Sequence, residues 1–189
     1  MQKVGPKTHK FEVDADGFII QGFYQEFHLM HMAVIFGDSN YIEENKQVVN
    51  VAEKDHGLTP LHIVISYKRP VAILKTLIRC NADIDANDKY NNTPLMCACR
   101  NEGREKHIEL LLAHKADVNV RSIFGDTPIM AAAWNGTIEN IRLLIDGGAE
   151  IGAVQTGEDI YRGKSAIDMC DNSVCIDLLE RARKFQESA

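Results

Sequence analysis

The side chains that could hold a metal ion include five cysteines, two of which, Cys97 and Cys99, are separated by one residue. No second pair of ligands follows them at the spacing of a structural zinc site. An odd number of cysteines is also more typical of free thiols in a reducing compartment than of a disulfide framework. We therefore expect free thiols and no metal ion.

A second candidate metal site is the segment Asp14-Ala15-Asp16-Gly17, which is similar to the start of a calcium-binding loop. The closing position of such a loop falls on Phe23, where a bidentate Glu is required. The segment is better interpreted as a turn. Phe18, Ile19, Ile20 and Phe23 are then expected to pack onto the first structural element as an N-terminal cap.

Catalytic chemistry has no recognisable signature in the chain. No Ser/His/Asp or Cys/His arrangement matches a known pattern, and no Gly-rich phosphate-binding loop is present. We expect a protein that is not an enzyme and that needs no cofactor.

Composition narrows the class of partner. The net charge is −6 and the pI is about 5.6, which argues against direct nucleic-acid binding and against anionic membrane surfaces. No apolar run reaches the roughly 18–20 residues of a membrane span. The N-terminal segment lacks the apolar stretch of a secretory signal. We expect an intracellular protein of the cytoplasm, with the nucleus as a second compartment.

The elements that would position these side chains come from one pattern that occurs twice between residues 88 and 153. Thr93-Pro94 recurs as Thr127-Pro128 after 34 residues, and Ala116-Asp117-Val118 recurs as Ala149-Glu150-Ile151 after 33. Self-similarity at this period is typical of a repeat solenoid.

Each part of the repeat predicts a local structure. The hydroxyl of each Thr, at 93 and 127, is expected to cap a helix, and Pro suits the first helical position. A first helix rich in small residues follows. The second helix has a buried stripe, formed by Ile141, Leu144 and Ile145 in the second copy. Gly148 ends it, and an extended finger leads to the next Thr-Pro.

The pattern resembles the ankyrin repeat. Gly57-Leu58-Thr59-Pro60-Leu61-His62 is similar to the start of that repeat, and Leu111 to Asn119 is similar to its end except at Lys115. The resemblance implies an all-α repeat solenoid of about five repeats, each a helix-turn-helix with a β-hairpin-like finger. The terminal repeats are degenerate caps. The predicted boundaries are an N-terminal extension or cap at 1–25, repeats at 26–54, 55–87, 88–120, 121–153 and 154–184, and a tail at 185–189.

The resemblance also assigns roles to the histidines and to one asparagine. His31 and His62 occupy a position that ties neighbouring repeats through the backbone, whereas His107 and His114 are expected to be solvated. Cys97, Cys99 and Cys170 are expected on first helices. Asn119 resembles the target of the asparaginyl hydroxylase that modifies ankyrin repeats.

The binding surface implied by the resemblance is the concave face, formed by finger tips and first helices. Its centre is predicted on repeats three and four, around Trp134, whose ring should have no large neighbour on its own helix. The alternative is that these rings pack against adjacent fingers. The predicted partner-binding residues are Phe36, Tyr67, Tyr90, Arg100, Asn101, Ile123, Phe124, Trp134, Asn135, Tyr161 and Arg162.

The resulting functional prediction is a non-catalytic module that binds a partner protein as an adaptor, an inhibitor or a masking subunit. It should be a monomer when free. Two alternatives stay open: a scaffold subunit of an obligate complex, and a viral or bacterial host-directed ankyrin protein.

Overall fold

The computed structural model describes residues 2–4, 10–21, 24–25, 27–158 and 160–188, and Phe23, expected in the N-terminal cap, lies outside them. The chain divides into two compact units, residues 1–89 and 90–189.

The elements, in chain order, are β1 (Gln2–Val4), β2 (Lys10–Glu12), α1 (Leu29–Phe36), α2 (Ser39–Glu44), a 3₁₀ helix (Lys46–Val48), α3 (Pro60–Ser66), α4 (Val71–Arg79), α5 (Pro94–Cys99), α6 (Glu105–Ala113), α7 (Pro128–Trp134), α8 (Ile138–Asp146), α9 (Ala166–Met169) and α10 (Ser173–Ser188).

The first unit begins with an antiparallel pair, β1 and β2, followed by a turn that Asp14 organises. Its carboxylate accepts the backbone N–H groups of Asp16 and Phe18 and lies 3.0 Å from the Lys54 ammonium group. Ile19 is buried as expected, but Ile20 is exposed, so the prediction that it packs inward is wrong. The carboxylate oxygens of Asp14 therefore stabilise a turn.

Helix starts follow the Thr-Pro pattern, although the Thr side chains differ in what they bind. Thr93 accepts the backbone N–H of Met96, and the hydroxyl of Thr59 lies 2.9 Å from Nδ1 of His62. Thr127 also precedes its helix, but its buried hydroxyl oxygen has no hydrogen-bond partner among the described residues. The prediction of a capping hydrogen bond is therefore wrong at Thr127.

In the second unit, the core lies between the first helices α5 and α7 and the second helices α6 and α8. Ile141 and Leu144 on α8 are fully buried, whereas Ile145 is only partly buried. Asn140 is fully buried beside this stripe. His107 occupies the corresponding position on α6 and is also buried, so the prediction that it is solvated is wrong.

The cysteines do not all follow the prediction of free thiols. Cys170 lies just beyond α9, not on it, and forms a disulfide with Cys175 in the first turn of α10. Cys80, Cys97 and Cys99 are free. The parity of the cysteine count could not reveal this pair, because five cysteines still leave room for one disulfide.

The last helix is longer than the sequence pattern indicates. α10 runs through Ser188 and includes residues that the sequence places in a tail. Its Gln186 side chain donates to the carbonyl of Ala149 and accepts the N–H of Ile151. These bonds tie the end of α10 to the loop after α8. No helix in the described part of the chain is long and apolar enough to cross a lipid bilayer.

Candidate functional site

The predicted binding residues fall in both units. Phe36 and Tyr67 belong to the first unit, and the other nine belong to the second. Phe36 is partly buried and stacks on Phe11 with 6.5 Å between ring centroids, which is a packing contact. Tyr67 directly follows α3, and its side chain is exposed.

A groove of about 460 Å³ in the second unit brings five of the predicted residues together: Arg100, Phe124, Trp134, Asn135 and Tyr161. The remaining lining residues are not among the predicted partner-binding residues: Asp126, Met130, Ala131, Gln155 and Met169. Tyr90, Asn101, Ile123 and Arg162 lie in the same unit but do not line the groove.

Trp134 forms one wall of the groove at the end of α7, where 55% of its surface is exposed. The ring of Tyr161 meets it edge to face, with centroids 5.0 Å apart and planes at 86°. This neighbour lies on the next finger and not on α7, where Ala131, Ala132 and Ala133 precede Trp134. This geometry suits the charge distribution of aromatic rings and contributes about 0.5–1.5 kcal/mol beyond burial.

Phe124 also lines the groove, on the finger that precedes α7. The hydroxyl of Ser122 accepts its backbone N–H, and its carbonyl accepts the N–H of Gly157 on the next finger. A methyl group at Gly157 would overlap that carbonyl, so only Gly permits the close approach of the two fingers. The ring of Phe124 stacks on Tyr90 at 6.3 Å and remains 44% exposed.

Two charged side chains lie in the groove. Nη1 of Arg100 donates to Oδ1 of Asn92 at 2.8 Å, and Nη2 lies 3.6 Å from Oδ2 of Asp126. The other oxygen of Asp126 accepts the amide of Gln155 at 2.9 Å. The groove thus combines aromatic walls with one partly exposed guanidinium group and one carboxylate.

The family model described as ankyrin repeats (3 copies) matches residues 29–122 and residues 71–155, which together span more than half of the chain. This chain belongs to the ankyrin-repeat family. The predicted family and the all-α repeat fold are confirmed. No curated protein matches the sequence. Ankyrin repeats are generally protein–protein interaction modules.

The histidine tie between repeats is visible in the first unit of this ankyrin-repeat protein. Nδ1 of His31 accepts the backbone N–H of His28, and Nε2 therefore donates to the carbonyl of Leu58 in the next repeat, at 3.0 Å. Burial, with a smaller contribution from His28, lowers the pKa of His31 to about 3. The ring is neutral and both nitrogens are engaged, so His31 holds structure and is not available as a base.

Two asparagines make a second kind of tie. Oδ1 of Asn119 accepts the N–H of Glu150 at 2.9 Å, and its Nδ2 donates to the carbonyl of Gly148 at 3.3 Å. Asn50 makes the equivalent pair of bonds: its Nδ2 donates to the carbonyl of Asn81, and its Oδ1 accepts the N–H of Asp83. The sequence singled out Asn119 only as a modification target, and the structure adds this contact with the next loop.

One cluster of metal-ligating side chains occurs among the described residues: Glu53, Asp55 and His56, whose ligand atoms lie within 4.8 Å of one another. Glu53 is buried, and its carboxylate accepts the N–H groups of Asp55, His56 and Leu58. Because these bonds occupy both oxygens, the cluster is better explained as the support of a finger than as a metal site.

Proposed function

We propose that this ankyrin-repeat protein is a non-catalytic module that captures a partner protein with the groove of its second unit. The observation that carries the proposal is that Trp134 and Phe124, two large rings about half exposed, line the same groove. Free proteins rarely leave such rings exposed together unless they bind something. In this role the protein acts as an adaptor, an inhibitor or a masking subunit.

The chemistry of the groove supports a protein ligand. Trp, Tyr and Arg are the side chains that most often dominate protein–protein binding, and the groove contains one of each at Trp134, Tyr161 and Arg100. Phe124 is held by backbone bonds to the neighbouring finger, so its ring needs little ordering when a partner binds. A pre-ordered aromatic surface favours affinity because less conformational entropy is lost.

The proposal is tested by changing the two rings and a matched aromatic outside the groove. Trp134→Ala and Phe124→Ala should each abolish capture of the partners that the wild-type protein retains from its native cell extract, identified by mass spectrometry. Phe185→Ala is the control, because Phe185 is exposed on α10 and does not line the groove. It should retain the same partners.

Stability distinguishes binding from packing in this experiment. Trp134→Ala removes one edge-to-face contact and should lower the free energy of unfolding by only about 1 kcal/mol. A large loss of stability, with capture by the folded fraction intact, would show that the rings pack the protein and do not bind. Sedimentation of the purified chain tests the accompanying proposal that it is a monomer when free.

We also propose that Asn119 is a substrate for an ankyrin-directed asparaginyl hydroxylase. Incubation with that enzyme should add one oxygen to the intact mass. Asn119→Ala should prevent the addition, whereas Asn50→Ala, which removes the equivalent tie in the first unit, should not. An unchanged mass of the wild-type protein would reject the proposal.

A further inference from the structure

We infer that the groove binds a partner segment in which a bulky apolar side chain is adjacent to a carboxylate, an inference that rests on the function proposed above. The apolar side chain would lie between Trp134 and Phe124, and the carboxylate would bind Arg100. The partner is therefore an acidic-apolar peptide segment, not a basic one.

The apolar half of the inference follows from the lining of the groove. The rings of Trp134 and Phe124 expose about half of their surface, while Met130 and Ala131, which also line the groove, are buried. Met169 and Tyr161 complete the apolar lining. A large apolar side chain placed here would remove the exposed apolar surface of several lining residues from water at once. This burial is the main source of affinity in such a site.

The acidic half follows from the state of Arg100. A guanidinium group has five N–H donors, and Arg100 has one short hydrogen bond, to Asn92. It forms an ion pair of 3.6 Å with Oδ2 of Asp126, which is beyond hydrogen-bond distance, while Oδ1 of Asp126 accepts the amide of Gln155. The side chain of Arg100 is 36% exposed and that of Asp126 is 24% exposed. The more accessible of the two charged groups is therefore the guanidinium of Arg100, whose N–H donors match the two oxygens of a carboxylate.

Other occupants fit less well. Aromatic walls also attract methylated ammonium groups, but Arg100 would repel a cation in the same groove. Arg162 and Lys164 lie on the finger that carries Tyr161 and form no ion pair with any described side chain. Neither of them lines the groove, so selectivity for an acid depends on Arg100.

The experiment uses defined peptides and the single tryptophan of the chain as the reporter. A random peptide library is first selected on the wild-type protein, and the selected peptides should share an acidic residue beside a bulky apolar one. Acetylated amides of Gly-Glu-Leu-Phe-Gly, and of versions with Gln or trimethyl-lysine in place of Glu, are then titrated against Trp134 fluorescence. The Glu peptide should bind about tenfold more tightly than the Gln peptide, the difference that a charge-assisted bond provides.

Matched variants assign that preference to Arg100. Arg100→Gln should reduce the ratio of the two affinities to about one, and Arg100→Lys should restore part of it. Arg142→Gln is the control, because Arg142 is exposed on α8 and does not line the groove. This control should leave the ratio unchanged. Added salt should weaken the binding of the Glu peptide but not that of the Gln peptide.

Three outcomes would overturn the inference: equal binding of the Glu and Gln peptides, tighter binding of the trimethyl-lysine peptide, or a library that yields no ligand. In each case the proposed function still stands if Trp134→Ala and Phe124→Ala abolish partner capture. If those two variants leave partner capture intact, the proposed function fails as well.

Discussion

A buried asparagine on α8 offers the sharpest test of the described core. Asn140 is 0% exposed, and neither its Oδ1 nor its Nδ2 has a hydrogen-bond partner among the described residues. Its neighbours Ile141 and Leu144 are apolar and fully buried. A buried amide without partners destabilises the folded state, because water would otherwise satisfy its polar atoms. Asn140→Leu should therefore stabilise the protein.

The expected magnitude follows from the two polar atoms and the packing gained. Leaving a buried polar group unsatisfied costs about 1–3 kcal/mol, and Leu, whose side chain branches at the same carbon as that of Asn, replaces the amide with apolar contact. Leu is also the better helix former, by about half a kcal/mol. We expect the free energy of unfolding to rise by about 1–3 kcal/mol. The melting temperature should rise by roughly 2–4 °C for each kcal/mol.

The assay is urea unfolding followed by the fluorescence of Trp134, which lies in the same unit as Asn140. The control is Arg142→Leu, an exposed position on the same helix, where the change should stay within about 0.5 kcal/mol. If Asn140→Leu lowers the midpoint, or leaves it unchanged with the same slope, the amide has partners such as a buried water. The reasoning would then be refuted.

Three further predictions concern pH, backbone strain and thiols. The pKa of His31 is about 3 in the folded state and near 6.5 when unfolded, so only the unfolded chain gains this proton below pH 6.5. Stability should therefore fall by up to about 1.4 kcal/mol per pH unit from 6.5 toward 3 in urea titrations, and His31→Gln should lack this contribution. Lys115 has a left-handed φ of 69°, so Lys115→Gly should raise the melting temperature by relieving about 1 kcal/mol of strain. Gly148→Ala, at φ 89°, should lower the melting temperature by a similar amount. A lower melting temperature for Lys115→Gly, or a higher one for Gly148→Ala, would contradict the left-handed conformation of these residues. Alkylation of the denatured, unreduced protein should label three cysteines, and five after reduction; five labels without reduction would exclude the Cys170–Cys175 disulfide.

The helices and their buried stripes were predictable from the sequence because they recur with a fixed period. Thr-Pro marks the starts of α3, α5 and α7, and the spacing of apolar residues on α6 and α8 identifies their buried faces. The same period predicted which side chains stand at finger tips and on the first helices of the concave face, and five of these line one groove. Periodicity determines the position of each residue within its repeat, and these predictions depended on that position alone.

The remaining features depend on departures from the period. Tyr161 lies on a finger about five residues longer than its counterpart, so no alignment of repeats could place its ring against Trp134. The buried state of His107 and Asn140 was missed because polar residues normally mark the exposed face of a helix. The pairing of Cys170 with Cys175 depends on the loop that joins two short terminal helices, where the repeat pattern is weakest.

The bonds that join adjacent repeats have an evolutionary consequence. His31 binds the carbonyl of Leu58, and Asn50 and Asn119 bind only backbone groups of the following loop. A backbone acceptor is present whatever side chain it carries. The receiving loops can therefore change sequence without losing the connection, provided that the donor residue is kept. Selection can therefore change the side chains of the receiving loops one loop at a time, because these backbone connections place no constraint on them.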